Sequence, residues 1–203
     1  MTVVLVRHGE TEWSRSGRHT GRTDIELTGT GRRQAEAAGR RLAGETWALV
    51  LSSPLRRALD TCRLAGLRAQ VVVDDDLREW DYGDYEGLTT PEILGREPAW
   101  SLWRDGCPGG EQPQDVGRRA DRVIERLRAS DGDAVVFAHG HVLRVLGARW
   151  AEQPPAFGAR LMLSTGSIST LGAEHGVPAL GTWNDTSHLT AGAMTGGAVA
   201  GQG

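Results

Sequence analysis

The chain of 203 residues has no lysine; all 23 of its basic residues are arginine. That excludes any mechanism built on a lysine amine, such as a Schiff base or a phosphate-loop lysine. Only two cysteines occur, Cys62 and Cys107, which fits neither a disulfide framework nor a zinc site. Cys62 falls on a helical pattern and is expected as a small buried filler, whereas Cys107 lies in a Gly/Pro loop and is expected to be exposed. No apolar run approaches the roughly 20 residues of a membrane span. The short apolar run before Arg7 is too brief for a secretory signal. A reduced cytoplasmic setting with no membrane partner is therefore expected. The net charge of −3 gives no electrostatic case for nucleic acid. Walker loop, strand-following Gly-x-Gly-x-x-Gly and acidic metal-ligand cluster are all missing, so neither cofactor nor metal is expected.

What is present is an alternation of short apolar runs and helical patterns. Thr2–Val6 reads as a buried strand, followed by a polar loop from Glu10 to Leu27. Thr28 is the predicted cap of a helix that Gly44 ends. Trp47–Leu51 is a second strand, closed by Ser52-Ser53-Pro54, with Pro54 placed in the first turn of a helix running to about Ala65. Val71–Val73 is a third strand leading into Leu77-Arg78-Glu79. Periodicity fails from about Leu88 to Pro113, predicting an irregular helical insertion over the ligand-binding edge of the sheet. A helix over about Gln114–Ala129, a strand at Ala134–Ala138 and a further helix after His139-Gly140-His141 follow. Leu161–Leu171 and Leu180–Trp183 read as late antiparallel strands, and the Gly/Ala-rich stretch 190–203 as a disordered tail. Strands with continuous apolar character alternating with helices predict an α/β fold in one domain over residues 1–189.

The chemistry gathers at the ends of these strands. Arg7 and His8 follow the first, Arg56 sits just inside the helix after the second, and His139 follows Ala134–Ala138. Guanidinium forks and helix N-termini both favour a phosphate at such a place. Glu79 adds a carboxyl just past another strand.

With these pieces assembled, the chain resembles the histidine phosphatase superfamily in its phosphoglycerate-mutase-like branch. The resemblance rests on Arg7-His8-Gly9-Glu10-Thr11, Thr20-Gly21, Asp24, Leu27-Thr28, Gly31 and Gln34-Ala35. It continues through Ser52-Ser53-Pro54-Leu55-Arg56-Arg57-Ala58, Leu77-Arg78-Glu79, Gly83, Glu86-Gly87, Pro108-Gly109-Gly110-Glu111, His139-Gly140, Asn184 and His188-Leu189. It implies a three-layer αβα sandwich around a mostly parallel, mixed sheet, with the insertion at about 88–113 forming part of the cleft. It also implies His8 as a nucleophile carrying a phosphohistidine, and Arg7, Arg56 and His139 as holders of the phosphoryl oxygens. Glu79 becomes the general acid and base, a task that needs a carboxyl able to hold a proton near neutrality. Ser14, Thr20, Gly21, Tyr82 and the Gly140 N–H are the implied substrate contacts, with no metal in the set. Arg57 stays outside it, because adjacent helix residues point differently.

Several features separate the chain from true mutases. Ser14 follows Trp13 where mutases carry asparagine, and the insertion offers only Arg96 and Arg104 for a second anion. Trp13, Trp80, Trp100 and Trp103 stand near the motifs; lining the cleft, they would suit an uncharged or aromatic leaving group. The expectation is an acid phosphatase acting on a small-molecule phosphomonoester. A phosphoglycerate mutase, a narrow sugar-phosphate or glycosyl-phosphoglycerate phosphatase, and a non-catalytic phospho-ligand binder are the alternatives. Because Glu79 must carry a proton in the first step and a phosphate ester's second ionisation lies near ~6, activity is expected to be best at acidic pH. Relatives often form homodimers, and no interface residue can be named from the sequence.

Overall fold

In the computed structural model, which describes residues 1–190, the alternation of the sequence becomes a six-stranded sheet between two layers of helices. In chain order the elements are β1 (Val3–Arg7), α1 (Glu12–Ser16), α2 (Gly29–Arg41), β2 (Leu49–Ser52), α3 (Arg56–Ala65), β3 (Val71–Val73), α4 (Thr90–Arg96), α5 (Leu102–Asp105), α6 (Pro113–Arg128), β4 (Ala134–Ala138), α7 (Gly140–Trp150), β5 (Ile168–Glu174), β6 (Val177–Leu180) and α8 (Ser187–Thr190). The strand order is β3-β2-β4-β1-β5-β6. The first four strands are parallel, and β5 and β6 add antiparallel at one edge. The predicted α/β class and mixed sheet are what the structure shows. The expected tail lies outside the described residues apart from Thr190, which closes α8.

The buried strands read as continuous apolar runs because both faces are covered. Val4, Val6, Val50, Val135 and Phe137 face α2 and α3, meeting Ala38, Leu42, Cys62 and Ala65. Leu5, Leu51 and Val136 face the opposite way, onto Val116, Ala120, Val123 and Leu127 of α6 and Val142, Leu143 and Leu146 of α7. Each fully buried aliphatic side chain of this kind contributes about 1.5–3 kcal/mol relative to exposure. Thr28 caps α2 through the Gly31 N–H, as its sequence position predicts.

Three boundaries differ from the expectations. Helix α3 opens at Arg56 with Leu55 as its cap residue, so Pro54 lies outside it; the Asp24 carboxylate accepts the Arg56 N–H at 2.8 Å instead. The late strands occupy Ile168–Glu174 and Val177–Leu180, not Leu161–Leu171 and Leu180–Trp183. Leu161 and Leu163 are buried, but at the exit of a 3-10 turn and in the loop after it, Leu161 against Gly147 of α7 and Leu163 in the core that α6 and α7 share. Their apolar character reads as strand, but it serves packing outside the sheet. Cys107 is buried at 1% exposure, contrary to its loop composition.

Candidate active site

Strands β1, β2 and β4 run parallel as neighbours in the order β2-β4-β1, so their C-terminal ends open at one edge. His8, Ser53 and His139 leave the sheet there side by side. The His8 N–H donates to the Ala138 carbonyl at 2.9 Å, and the His8 carbonyl accepts from Gly166 N–H at 3.1 Å. The chain can leave β1 under helix α2 only through glycine: a Cβ on Gly9 would lie 2.2 Å from the Gly31 carbonyl oxygen.

His8 is buried and its Nδ1 lies 2.7 Å from the Gly9 carbonyl oxygen. A carbonyl only accepts, so Nδ1 carries the hydrogen and Nε2 keeps its lone pair. Burial, and then the charges of Arg57 and Arg7, hold the imidazole well below the ordinary histidine value, which keeps it neutral. The His139 ring stands 5.1 Å from that of His8, centroid to centroid. Arg57 Nε donates to His139 Nδ1 at 3.0 Å, so His139 Nε2 carries the hydrogen toward Ser53 Oγ at 2.7 Å. Burial, then Arg57, keeps His139 neutral as well.

The arginine of helix α3 that enters the site is Arg57, not Arg56. Arg56 is half exposed and tied to Glu26 and Asp60. Arg57 is fully buried and also donates to the carbonyls of Thr20, Thr23 and Gly21. The helical period explains the choice: the buried stripe of α3 is Arg57, Ala58, Thr61, Cys62 and Ala65, while Arg56 shares the outer face with Asp60 and Arg63. Reading that stripe would have found the right residue; the guanidinium charge concealed it.

Arg7 supplies the second guanidinium. Its Nη1 donates to the Leu163 carbonyl, and its Nε is buried without a partner among the described residues. Arg7 Nε is thus a buried donor whose hydrogen bond is unmade. The α7 N-terminus closes directly over it, since a Cβ on Gly140 would come within 3.3 Å of Arg7 Cζ.

Glu79 faces the same cleft from the loop after β3. Its carboxylate accepts from Trp80 N–H at 2.9 Å, Val142 N–H at 2.9 Å and His141 N–H at 3.0 Å. It thereby caps α7, whose cap residue His139 makes no such bond itself. The loop is clamped from below by Arg119, which donates to the carbonyls of Asp76 and Arg78 and pairs through both Nε and Nη2 with Glu111. Glu111 in turn accepts the Asp81 N–H at 2.9 Å. Neither Arg119 nor Glu111 was singled out from the sequence as part of the site.

The cleft has a volume of about 170 Å³, below the ~300–1,000 Å³ of sites for drug-sized ligands. Of the expected substrate contacts, Ser14, Thr20, Tyr82 and Gly140 line it. Ser14 also works locally, closing a capping box with Thr11. Gly21 does not line it; its N–H is held by the Glu86 carboxylate at 2.9 Å. Tyr82 Oη lies 2.5 Å from His141 Nδ1, and burial, then Glu79, holds the phenol protonated by raising its pKa well above the ordinary value. His19, His141, Arg18 and Arg144 also line the cleft and stood outside the residues singled out for it from the sequence.

The tryptophans are behind the wall, not in it. Trp80 is fully buried with its Nε1 donating to the Glu111 carbonyl at 3.0 Å, and Trp100 and Trp103 pack on the core. Trp13 sits against Gly87. The insertion at 88–113 contributes support in the same way and lines none of the cleft.

Comparisons with known proteins agree with this geometry. The family model described as histidine phosphatase superfamily (branch 1) matches residues 3–186. An acid phosphatase of Mycobacterium tuberculosis is 48% identical over 191 residues, covering 92% of this chain and 93% of the relative. The sedoheptulose 1,7-bisphosphatase of Saccharomyces cerevisiae is 41% identical over 179 residues, covering 72% of this chain and 66% of the relative. Among solved structures, that of an open reading frame of Mycobacterium tuberculosis superimposes with a TM-score of 0.86 at 47% identity, covering 90% of this chain and 96% of the other. With two neutral histidines, two guanidiniums and a carboxylate at the mouth of a mixed α/β sheet, the chain belongs to the histidine phosphatase superfamily, branch 1.

Proposed function

We propose that this histidine phosphatase hydrolyses small phosphomonoesters without a metal, through a phosphohistidine on His8. The observation that carries the reading is the His8 tautomer: Nδ1–H on the Gly9 carbonyl leaves the Nε2 lone pair as the nucleophile. The substrate phosphoryl group sits between Arg7, Arg57, His139 and the Gly140 N–H. His8 Nε2 forms the N–P bond as the P–O bond to the leaving group breaks, and Glu79 gives that oxygen its proton. Glu79 then takes a proton from water, whose oxygen attacks phosphorus and returns the electron pair of the N–P bond to Nε2. The protein's part is positioning and charge stabilisation by fixed cationic donors.

An acidic optimum fits this cycle. Glu79 must start protonated, and the depressed pKa of His8 keeps the nucleophile unprotonated below pH 6.5, where an ordinary histidine is lost. The name of the acid phosphatase relative points the same way. Two buried, unbridged cysteines suit a reduced, cytoplasmic setting.

The test is phosphate release from an aryl phosphate at pH 5 to 8 in chelator, with His8→Ala as control. Hydrolysis in the wild type, lost in the variant and strongest below pH 7, is the expected result. Hydrolysis surviving His8→Ala, or dependent on added metal, would overturn the reading. A parallel assay of 3-phosphoglycerate with a bisphosphate primer checks the mutase alternative. No isomerisation is expected, since the insertion brings no cation to the cleft.

A further inference from the structure

We propose that the closing segment 183–188 is a clamp on Arg7, with Asn184 and His188 as positioning residues for the phosphoryl transfer. The proposal rests on the phosphatase reading above, in which Arg7 holds the phosphoryl group.

Asn184 and His188 belong to the motifs of the sequence, yet neither lines the cleft, and the reaction leaves them without a task. What they hold is the loop 161–166. It lies between the 3-10 turn Pro155–Arg160 and β5, so no helix or sheet ladder sets where its peptide groups point. Arg7 depends on those groups. Its Nη1 donates to the Leu163 carbonyl, and the Gly166 N–H donates to the carbonyls of Arg7 at 3.2 Å and His8 at 3.1 Å. One loop thus holds both the guanidinium of Arg7 and the backbone from which it and His8 project.

Three side chains of the closing segment take alternate residues of that loop. Trp183 Nε1 donates to the Met162 carbonyl at 2.7 Å, and Asn184 Oδ1 accepts the Ser164 N–H at 2.7 Å. His188 Nε2 donates to the Gly166 carbonyl at 2.9 Å. These bonds fall on both flanks of Leu163 and on Gly166, the two residues that grip Arg7. The segment is itself anchored to the sheet. Asp185 N–H donates to the Ile168 carbonyl at 2.8 Å, Ile168 N–H returns the bond at 2.9 Å, and Asn184 N–H donates to Ser169 Oγ at 2.9 Å. Ile168 and Ser169 pair in turn with Val6 and Leu5 of β1. The circuit from clamp to Arg7 therefore starts and ends on the strand that carries Arg7.

The backbone conformations fit this role. Asn184 has a φ of 58°, in the left-handed region that asparagine enters more readily than most residues. Gly166 has a φ of 70°, and a Cβ on it would lie 2.8 Å from the Cβ of Gln34. The loop is therefore packed against α2 at the point where His188 holds it. Loosening the clamp frees the loop, and a donor displaced by ~1 Å from its productive position costs on the order of 10²-fold in rate.

The experiment measures kcat/KM on an aryl phosphate and the Kd of inorganic phosphate in two pairs of variants. Asn184→Gly keeps the left-handed backbone and removes the acceptor, which Asn184→Asp returns. His188→Leu removes the donor, which His188→Gln returns on an amide nitrogen. Asn184→Gly and His188→Leu are expected to lower kcat/KM about tenfold or more and to raise the phosphate Kd by a similar factor. Asn184→Asp and His188→Gln should recover most of both. Each variant is first shown by its melting curve to be folded at the assay temperature, so that the Kd reports the geometry of the site and not the folded fraction. Should Asn184→Gly fail to fold, the His188 pair decides alone. Values within twofold of the wild type in the variants that lose the bond, or a loss that neither conservative variant recovers, would overturn the clamp and leave the phosphatase reading intact. A wild type that neither hydrolyses the aryl phosphate nor binds phosphate would overturn both.

Discussion

Two adjacent arginines, Arg56 and Arg57, have nearly the same local sequence and opposite fates. One is half exposed and paired with Glu26 and Asp60; the other is buried against His139. Arg57→Gln is expected to lower kcat by roughly 10²–10³, the scale of a lost donor to developing charge. Arg56→Gln should change it by less than about threefold, because its neighbours are solvent and surface carboxylates. Steady-state kinetics of the two variants side by side check this. His8, Arg7, His139 and Glu79 were legible in the sequence because each ends a strand or directly follows one or its exit turn. Arg57 was not, because a charged residue on the apolar stripe of α3 looks like an error of pattern until its partners are seen. Arg18 and Arg144 were hidden for another reason: one lies in a loop and one a full helical turn past its motif, and only the fold brings them to one wall.

At the scale of elements, the position of Glu79 depends on parts that never touch substrate. Helix α6 presents Arg119 to the loop 76–81, and the loop's far end hangs on Glu111. Arg119→Met removes one partner of a largely buried bidentate pair. The expected loss is roughly 2–3 kcal/mol, less than for a fully buried pair because the Glu111 side chain keeps 23% exposure. Denaturant unfolding measures that loss, and kcat should fall with it as the Glu79 loop loosens. Strands β1, β3 and β4 and helices α2 and α6 were readable to within a few residues, since each combines an apolar period with a cap or breaker. The loop carrying Leu163 and the wall behind the insertion were not. Their buried side chains serve the packing of other elements, and no period of 2 or 3.6 records that.

For the molecule as a whole, the site has a stability signature in pH. His8 and His139 are buried and His141 is half-buried at the cleft, and all three have folded pKa values held below the ordinary one, chiefly by desolvation. The unfolded chain therefore binds more protons than the folded one once the pH drops. Stability is complete above the unfolded value near ~6.5 and falls as pH decreases through it, by up to about 1.4 kcal/mol per histidine per unit. Thermal melts from pH 7.5 to 5 should show a declining Tm, and millimolar phosphate should recover part of it by binding the folded state alone. A Tm that is flat or rising toward pH 5 would show these imidazoles to be free to protonate.

The central claim is that His8 Nε2 takes the phosphoryl group, and one variant exposes it most directly. In Glu79→Gln an aryl phosphate with a good leaving group should still transfer its phosphoryl group, because nitrophenolate departs without a proton. Hydrolysis of the intermediate, which needs Glu79 as base, should stall. Rapid mixing is expected to give a burst of nitrophenolate approaching one equivalent of enzyme, with the phosphoryl group recovered on His8 under alkaline denaturing conditions. No burst and no phosphate on His8, with turnover persisting in His8→Ala, would contradict the account.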